Sequence, residues 1–178
     1  MRHFAQRVGL FLALSWTVQL PAFAQSKFSI SKAITTISDP QNDVKPKAIP
    51  GSVVDYTVSV TNPASGASNA TSIVYVDTIS SGTMLYVLDL GVSGSGPLVF
   101  NDGSVLGVGG SRLTYTYSGL SSTTDQLEFS SDSGISWTYI PIPDASGYDG
   151  SVTNIRVKPS GSQALGSTFT LRYRVMVR

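Results

Sequence analysis

The residue types with which proteins do most of their chemistry are scarce in this chain. Its 178 residues include no cysteine, and the only histidine and the only glutamate are His3 and Glu128. His3 falls within a predicted signal peptide, residues 1–24, so the exported chain would have neither cysteine nor histidine. Ser-His-Asp and Cys-His nucleophiles are then excluded, and zinc, copper and haem lose their usual ligands. The composition therefore predicts a protein that is not an enzyme.

Two short patterns resemble catalytic ones but occur in the wrong setting. Ser29 and Lys32 match the S-x-x-K of serine acyl-enzymes, which requires a helix. Alternating polar and apolar residues predict a strand here, which places the two side chains on opposite faces. Glu128 and Asp132 could form the carboxylate pair of a glycosidase, but they bracket a predicted hairpin, where aspartate favours turn geometry. We therefore predict no catalytic residues.

Calcium is the metal that the remaining residues suit best, because its ligands are oxygen atoms. Asp39, Asn42 and Asp43 lie in one predicted loop, and Asp132 and Asp149 lie in two others. The sequence has no D-x-D-x-D-G loop, and Asp and Asn side chains also stabilise turns. We expect these turn roles and no cofactor, with calcium as the alternative.

A covalent lysine–asparagine crosslink would need a buried lysine, an asparagine and a neighbouring acid. Lys32 shares its predicted strand face with apolar residues, so its side chain could point inward. Asn154, with Asp55 or Asp77 as the acid, would then be its partner. The alternative is a lysine at a sheet edge whose charged end reaches water.

Aromatic residues in the second half of the chain offer a possible binding surface. Exposed and coplanar rings would stack on sugars, whereas Trp137 is expected to anchor the core between two sheets. The aromatic residues concerned are Tyr115, Tyr117, Trp137, Tyr139 and Tyr148.

Residues 1–24 match a secretory signal peptide. Arg2 and Arg7 supply the positive start, Val8–Val18 is an apolar run, and Ala22–Ala24 is an A-x-A cleavage site. The apolar run is too short to cross a bilayer as a helix, which takes about 20 residues. The sequence therefore predicts an exported protein, located in the periplasm, at the cell surface or outside the cell.

Residues 25–178 are expected to form a single domain. They have ten basic and eleven acidic residues, and this net charge of −1 is unlike the positive surface of a nucleic-acid-binding protein. Gln25 stands where a lipid anchor would need cysteine, and no second long apolar segment follows. We expect no nucleic-acid partner and no membrane insertion.

Alternation of apolar and polar residues predicts strands throughout this domain. About eight to ten strands at regular spacing favour an all-β, antiparallel Greek-key β-sandwich, with a barrel as the alternative. Asp39–Ile49 is predicted as an extended loop, and Ser72–Thr78 as a central strand because it is apolar on both faces. Candidates for these strands are the segments Phe28–Ile37, Val54–Val60, Ser72–Thr78, Met84–Leu90, Leu98–Asn101, Val105–Val108, Leu113–Tyr117, Gln126–Ser130, Trp137–Ile140, Thr153–Lys158 and Phe169–Val177.

Three stretches share a more specific pattern. Asp39–Asn62 ends in P-G-S-V-V-D-Y-T-V-S-V-T-N, Ala70–Ile79 is A-T-S-I-V-Y-V-D-T-I, and Gly166–Val175 closes the domain. Together they resemble the "conserved repeat" immunoglobulin-like domain of bacterial and archaeal cell-surface proteins, a family of unknown function. Leu127–Trp137 is similar to a hairpin of its single-domain exported members. The resemblance covers roughly residues 28–178 and implies an immunoglobulin-like fold, although typical members occur in tandem.

Two functions are consistent with such a domain. The first is a structural or surface subunit that polymerises when Gln25–Ile37 completes the sheet of a neighbouring copy. The loop Asp39–Ile49 would be long enough for the strand to reach that neighbouring copy, since about eleven residues span at most ~35–40 Å. The second is a module that binds a glycan or a surface protein through its loops.

Overall fold

The computed structural model describes residues 28–64, 68–104 and 109–178. Within these ranges the chain is all β, with twelve strands and no helix. The predicted signal peptide, residues 1–24, and the predicted strand Val105–Val108 lie outside the described residues. The strands are β1 (Ser29–Ser38), β2 (Val53–Thr61), β3 (Ala70–Thr71), β4 (Tyr75–Thr78), β5 (Thr83–Tyr86), β6 (Leu98–Asn101), β7 (Leu113–Thr114), β8 (Leu127–Ser130), β9 (Tyr148–Asp149), β10 (Asn154–Val157), β11 (Ser160–Gln163) and β12 (Thr168–Val177).

The largest sheet is built around β12. On one side β12 pairs with β2, and β1 lies beyond β2 at the edge of the sheet. On its other side β12 pairs with β6 through Thr170–Tyr173 and with β5 through Val175–Val177, and β9 continues from β5. Every pairing in this sheet is antiparallel.

Two three-stranded antiparallel sheets complete the described fold. The second sheet has the order β4-β10-β8, so β4 and β8 are its edges. The third sheet has the order β3-β11-β7 and is formed by strands of only two to four residues.

The core forms where apolar side chains alternate with polar ones along β2 and β12. Val58 and Leu171 are opposite one another in the ladder and are both fully buried, as a period of two requires for one covered face. Ile155 and Val157 of β10 bring the second sheet into the same cluster. Its other members are Val54, Val60, Ile79, Leu85, Val87, Leu98, Leu113, Leu127, Phe129, Val152, Phe169, Tyr173 and Val175.

The strands with the clearest alternation are confirmed. The predicted segments Val54–Val60 and Phe169–Val177 lie within β2 and β12, and Phe28–Ile37 matches β1 to within one residue at each end. Leu98–Asn101 is β6, and the predicted loop Asp39–Ile49 contains no strand. Regular alternation was therefore sufficient to locate the long strands of the largest sheet.

The prediction that Ser72–Thr78 forms a central strand is wrong. Only its second half is a strand, and β4 lies at an edge of the second sheet. Val74 and Val76 are 56% and 48% exposed. Apolar residues on both faces suggested that both faces are covered, but the outer face of β4 has no described element over it.

Two expectations for Trp137–Ile140 are also wrong. The segment contributes only an isolated bridge between Tyr139 and Phe129, and Trp137 is half-buried outside the core cluster. The Trp137 ring packs against the Arg156 guanidinium, 4.3 Å from the ring centre. Arg156 alternates with buried residues of β10, which places this contact on the outer face of the second sheet.

Three short strands were missed, namely β3, β9 and β11. Each has two to four residues, too few for a period of two to be visible, and β11 is S-G-S-Q. They raise the number of described strands to twelve, above the predicted eight to ten.

Candidate functional site

The first strand is attached to the rest of the fold along one side only. β1 makes an unbroken antiparallel ladder with β2 from Ser29 opposite Thr61 to Thr36 opposite Val54, and a bulge follows before Ser38. No described strand pairs with its other side. Among the described residues, the backbone groups on that side have no strand partner, as at any uncovered sheet edge.

The core-facing side of β1 is apolar but uncovered. Ile30 is opposite Val60 and Ile34 is opposite Tyr56, so both side chains lie on the face of the sheet that holds the core. They are nevertheless 58% and 62% exposed. The second sheet ends at β4, and no described strand of it extends over these two isoleucines.

A polar cluster joins β1 to the second sheet. The Lys32 ammonium donates to both carboxylate oxygens of Asp77 on β4, at 2.9 and 2.8 Å. The hydroxyls of Tyr75 and Tyr173 each donate to Asp77 Oδ2 at 2.7 Å. The Lys32 ammonium also lies 4.4 Å from the ring centre of Tyr56, close enough for a cation–π contact.

The two tyrosines of this cluster act as neutral donors. Burial raises the pKa of Tyr173 well above its usual range, and the hydrogen bond to Asp77 raises it further. The same two causes raise the pKa of Tyr75. Asp77 therefore accepts hydrogen bonds from two uncharged hydroxyls and one cation, and only the cation belongs to β1.

The structure brings together only part of the predicted crosslink. Lys32 meets Asp77, whereas the amide of Asn154 donates to the hydroxyl of Thr78 at 3.0 Å. Asp55 lies on the opposite face of the largest sheet, since it alternates with the core-facing residues of β2. The observed contact is an ion pair, and the crosslink stays a prediction.

The connection from β1 to β2, Asp39–Ser52, is held together at its start by one carboxylate. Asp39 is 5% exposed and accepts hydrogen bonds from the backbone amides of Asp43, at 3.1 Å, and Lys47, at 2.9 Å. The amide of Lys47 is the main cause of the lowered pKa of Asp39, followed by the amide of Asp43. This aspartate stabilises the loop as the turn interpretation predicts.

The end of the same connection is tied to β12. The Gly51 amide donates to the Val177 carbonyl at 2.8 Å, and the Val177 amide donates to the Ser52 carbonyl at 2.9 Å. Gly51 has φ of 88°, and a Cβ there would lie 2.8 Å from Cγ of Pro40. A glycine is thus needed where the two ends of the loop meet.

The other aspartates considered for calcium also serve their own loops. Asp132 accepts hydrogen bonds from Ser130 Oγ, which is the main cause of its lowered pKa of about 2, and from the amide and hydroxyl of Ser136. Asp149 accepts from the Tyr139 hydroxyl and from the Ile142 amide. No group of three or more acidic, histidine or cysteine side chains among the described residues could hold a metal.

The single glutamate is paired with cations. Glu128 accepts hydrogen bonds from Arg156 and Lys158 on the outer face of the second sheet. Burial opposes its ionisation, but the two cations outweigh burial and hold the pKa of Glu128 below its usual range. This carboxylate is thus a charged structural group rather than a proton donor at neutral pH.

The five aromatic residues considered for binding lie in three places. Trp137 and Tyr139 line a groove of about 410 Å³ beside Arg156. Tyr115 and Tyr117 line a second groove of about 590 Å³, and burial raises the pKa of Tyr117 to about 12. Tyr148 is 7% exposed, so its ring is not available to a ligand. These side chains do not form one platform.

Comparisons with protein-family models, curated proteins and solved structures found no match for this chain. A search of the described residues for a helix long and apolar enough to cross a membrane found none. Among the described strands, β1 combines an unpaired edge with two exposed apolar side chains, Ile30 and Ile34.

Proposed function

We propose that the protein is an exported, non-enzymatic structural or cell-surface subunit that associates with copies of itself through β1. The observation behind this proposal is the exposed apolar face of β1 beside a free strand edge. We further propose that the described sheets form an immunoglobulin-like Greek-key β-sandwich. The antiparallel pairing and the shared core support this fold, and the motif resemblance agrees with it.

An uncovered edge of this kind is unusual in a protein that works alone. Natural sheets protect their edges with short strands, prolines, bulges or inward-pointing charges. β1 has ten residues and no proline, its bulge falls only at its end, between Thr36 and Ser38, and its one inward-pointing charge, Lys32, is neutralised by Asp77. Ile30 and Ile34 remain exposed on either side of that charge. These properties favour association through β1.

The absence of catalytic groups supports a structural role. Residues 25–178 contain neither histidine nor cysteine, and Glu128 is ion-paired. Asp39, Asp132 and Asp149 are hydrogen-bonded within loops, and Asp55 and Asp77 are paired with arginine or lysine. A structural subunit needs none of these groups, whereas hydrolases of the common classes do.

The proposal is tested with residues 25–178, by size exclusion over a range of concentrations and by electron microscopy. The wild type is expected to form oligomers or filaments. The double variant Ile30→Ser, Ile34→Ser should shift the population toward monomer, because it removes the apolar face of β1 without touching the core.

Ile135→Ser is the matched control, since Ile135 is 85% exposed but lies far along the chain from β1. This control should assemble like the wild type. A wild type that stays monomeric at every concentration overturns the proposal, and equal effects of the control and the double variant overturn the role of β1.

Export is tested separately by cell fractionation of the full chain. We expect the protein in the periplasm, at the surface or in the medium, with residues 1–24 removed. Retention of the full chain in the cytoplasm would contradict this part of the proposal.

The groove beside Trp137 supports binding of a glycan as a second candidate function. Trp137 and Tyr139 present half-buried rings next to Arg156 and Glu128, a combination of stacking surface and polar groups suited to sugars. A glycan array compares the wild type with Trp137→Ala and, as the control in the other groove, Tyr117→Ala. Binding that Trp137→Ala alone abolishes would support this function, and an array without signal would reject it.

A further inference from the structure

We infer that β1 exchanges between copies of this chain, so that β1 of one molecule pairs with β2 of another. This inference rests on the proposed self-association and specifies how the copies are linked; exchange alone leaves Ile30 and Ile34 uncovered, so this apolar face provides the contact between linked copies. The alternative route, in which the free edges of two β1 strands meet side by side, leaves each β1 in its own sheet.

The core does not depend on β1. None of the core residues belongs to this strand, and every residue of β1 is exposed except Thr36, which is half-buried. Departure of β1 therefore breaks one ladder and one ion pair while the packed cluster of the other strands is kept. Elements with few buried contacts are the ones that open at low free-energy cost.

A second copy offers every contact that β1 would lose. The ladder partner is β2, the ion-pair partner of Lys32 is Asp77, and the ring below Lys32 is Tyr56. An identical chain presents all three in the same geometry. Lys32 also sets the register, because a slip by one residue would turn it away from Asp77.

The connection between β1 and β2 is far longer than their geometry requires. Adjacent antiparallel strands are usually joined by about two to five residues, whereas Asp39–Ser52 has fourteen. Gly51 and Ser52 stay hydrogen-bonded to Val177, so the twelve residues before them supply the reach, at most about 40–43 Å when extended. The hydrogen bonds within the loop, including those of Asp39 and of the Ser52 hydroxyl, must then open.

The absence of native cysteine permits a direct test by disulfide trapping. Ala33 and Thr57 are directly paired across β1 and β2, so the variant Ala33→Cys, Thr57→Cys places two thiols within bridging distance. The protein, residues 25–178, is unfolded under reducing conditions and refolded at a low concentration and at about 1 mM, the effective concentration typical of short flexible linkers. Oxidation and a non-reducing gel follow.

Exchange predicts a ladder of disulfide-linked multimers at the high concentration and covalent monomer at the low one. Each single-cysteine variant can form at most a disulfide-linked dimer, so a series of larger covalent multimers requires both cysteines in one chain. Assemblies in which all disulfides are intramolecular overturn exchange and leave the proposed self-association standing. A protein that forms no assemblies at all overturns both.

A second pair of cysteines provides an independent test in case the first double variant fails to fold. Ser31 and Ser59 are also directly opposite, and both lie on the outer face of the sheet, away from the core. Ser31→Cys, Ser59→Cys should give the same concentration-dependent ladder. If both variants fold and assemble but neither gives disulfide-linked multimers on the gel, exchange of β1 is rejected.

Discussion

β1 and β12 are both ten-residue strands, and they flank β2 on its two sides. Their core-facing residues meet the same partners. Ile30 and Phe169 both pair with Val60, and Lys32 and Leu171 both pair with Val58. Both strands alternate, but β12 does so without a break from Phe169 to Val175, whereas Lys32 and Thr36 interrupt the apolar face of β1.

Their burial is opposite. Phe169 and Leu171 are fully buried, whereas Ile30 is 58% exposed. β12 has neighbours on both sides and core residues of the second sheet packed with it, whereas β1 has one neighbour and lies beyond the last strand of the second sheet. Alternation thus determines which way a side chain points, while position in the sheet determines whether anything covers it.

The largest difference between the two strands should appear on truncating core-facing side chains. Leu171→Ala leaves a cavity in the packed cluster and should cost about 2–5 kcal/mol in the free energy of unfolding. Urea denaturation of residues 25–178 measures this loss. A cost below about 1 kcal/mol, the scale of surface changes, would show that β12 is not the centre of the core.

The outer face of β12 should show a second, smaller effect. Asp55 on β2 accepts hydrogen bonds from Arg172 at 2.8 Å and from Arg174 at 2.6 Å, whereas the β1 residue paired with Asp55 is the uncharged Thr35. Asp55→Asn should cost about 1–2 kcal/mol at neutral pH, since bonds to partly exposed charged groups are weakened by solvent. Asp43→Asn, which removes an exposed ion pair with Lys47, is the control and should cost less.

The same variant predicts a pH dependence. Burial opposes ionisation of Asp55, but its bonds to Arg174 and Arg172 outweigh burial and lower its pKa. Its stabilising contribution is therefore complete above the unfolded pKa of about 3.9 and is lost as the pH falls through the folded value. Denaturation at a series of acidic pH values should show a shallower loss of stability in Asp55→Asn. An unchanged slope would contradict the assignment.

Asp77 allows the two strands to be compared at one acceptor. Tyr173→Phe removes the donor from β12, and Lys32→Ala removes the donor from β1. The buried hydroxyl should matter more, with about 1–1.5 kcal/mol for Tyr173→Phe against less than about 1 kcal/mol for Lys32→Ala, because the ammonium is partly solvated. Thermal or urea unfolding of both variants measures the two losses of stability. A larger loss for Lys32→Ala would show that Lys32 makes the more stabilising bond to Asp77.

The smallest stability effect should come from the exposed face of β1. Ile34→Ala is expected to change the free energy of unfolding of the monomer by no more than about 0.5 kcal/mol. The same substitution should reduce self-association in size exclusion, because it removes apolar area from the proposed contact. A cost similar to that of Leu171→Ala would place Ile34 in the core and remove the contrast between the strands.

Long strands could be located from the sequence because alternation needs no knowledge of neighbours. β1, β2 and β12 were found to within a residue or two, and the turn roles of Asp39 and Asp132 followed from residue type and loop composition. The edge position of β4 and the outer position of Trp137 were not found. Both depend on which elements lie opposite, and local pattern contains no such information.

In the candidate site, too, the sequence indicated some of the residues and only the structure revealed the others. The sequence marked Lys32 as an inward-pointing lysine and named Asp77 among its possible partners. Tyr75 lies two residues from Asp77 on the same strand, where alternation puts both on one face, but the sequence had no signal for Tyr173, which reaches Asp77 from β12. Long-range contacts of this kind join residues that are about a hundred positions apart, as with Tyr173 and Asp77 at a separation of 96.

The sequence by itself determined that the chain is built from strands, that histidine and cysteine are missing from residues 25–178, and which side of each long strand is apolar. These follow from residue types and a period of two, both of which are local properties. Only the tertiary structure decided that β12 is central and β1 peripheral, because burial depends on how many sheets and strands surround a face. That decision leaves Ile30 and Ile34 on the surface and makes β1 the strand through which the protein is proposed to meet its own copies.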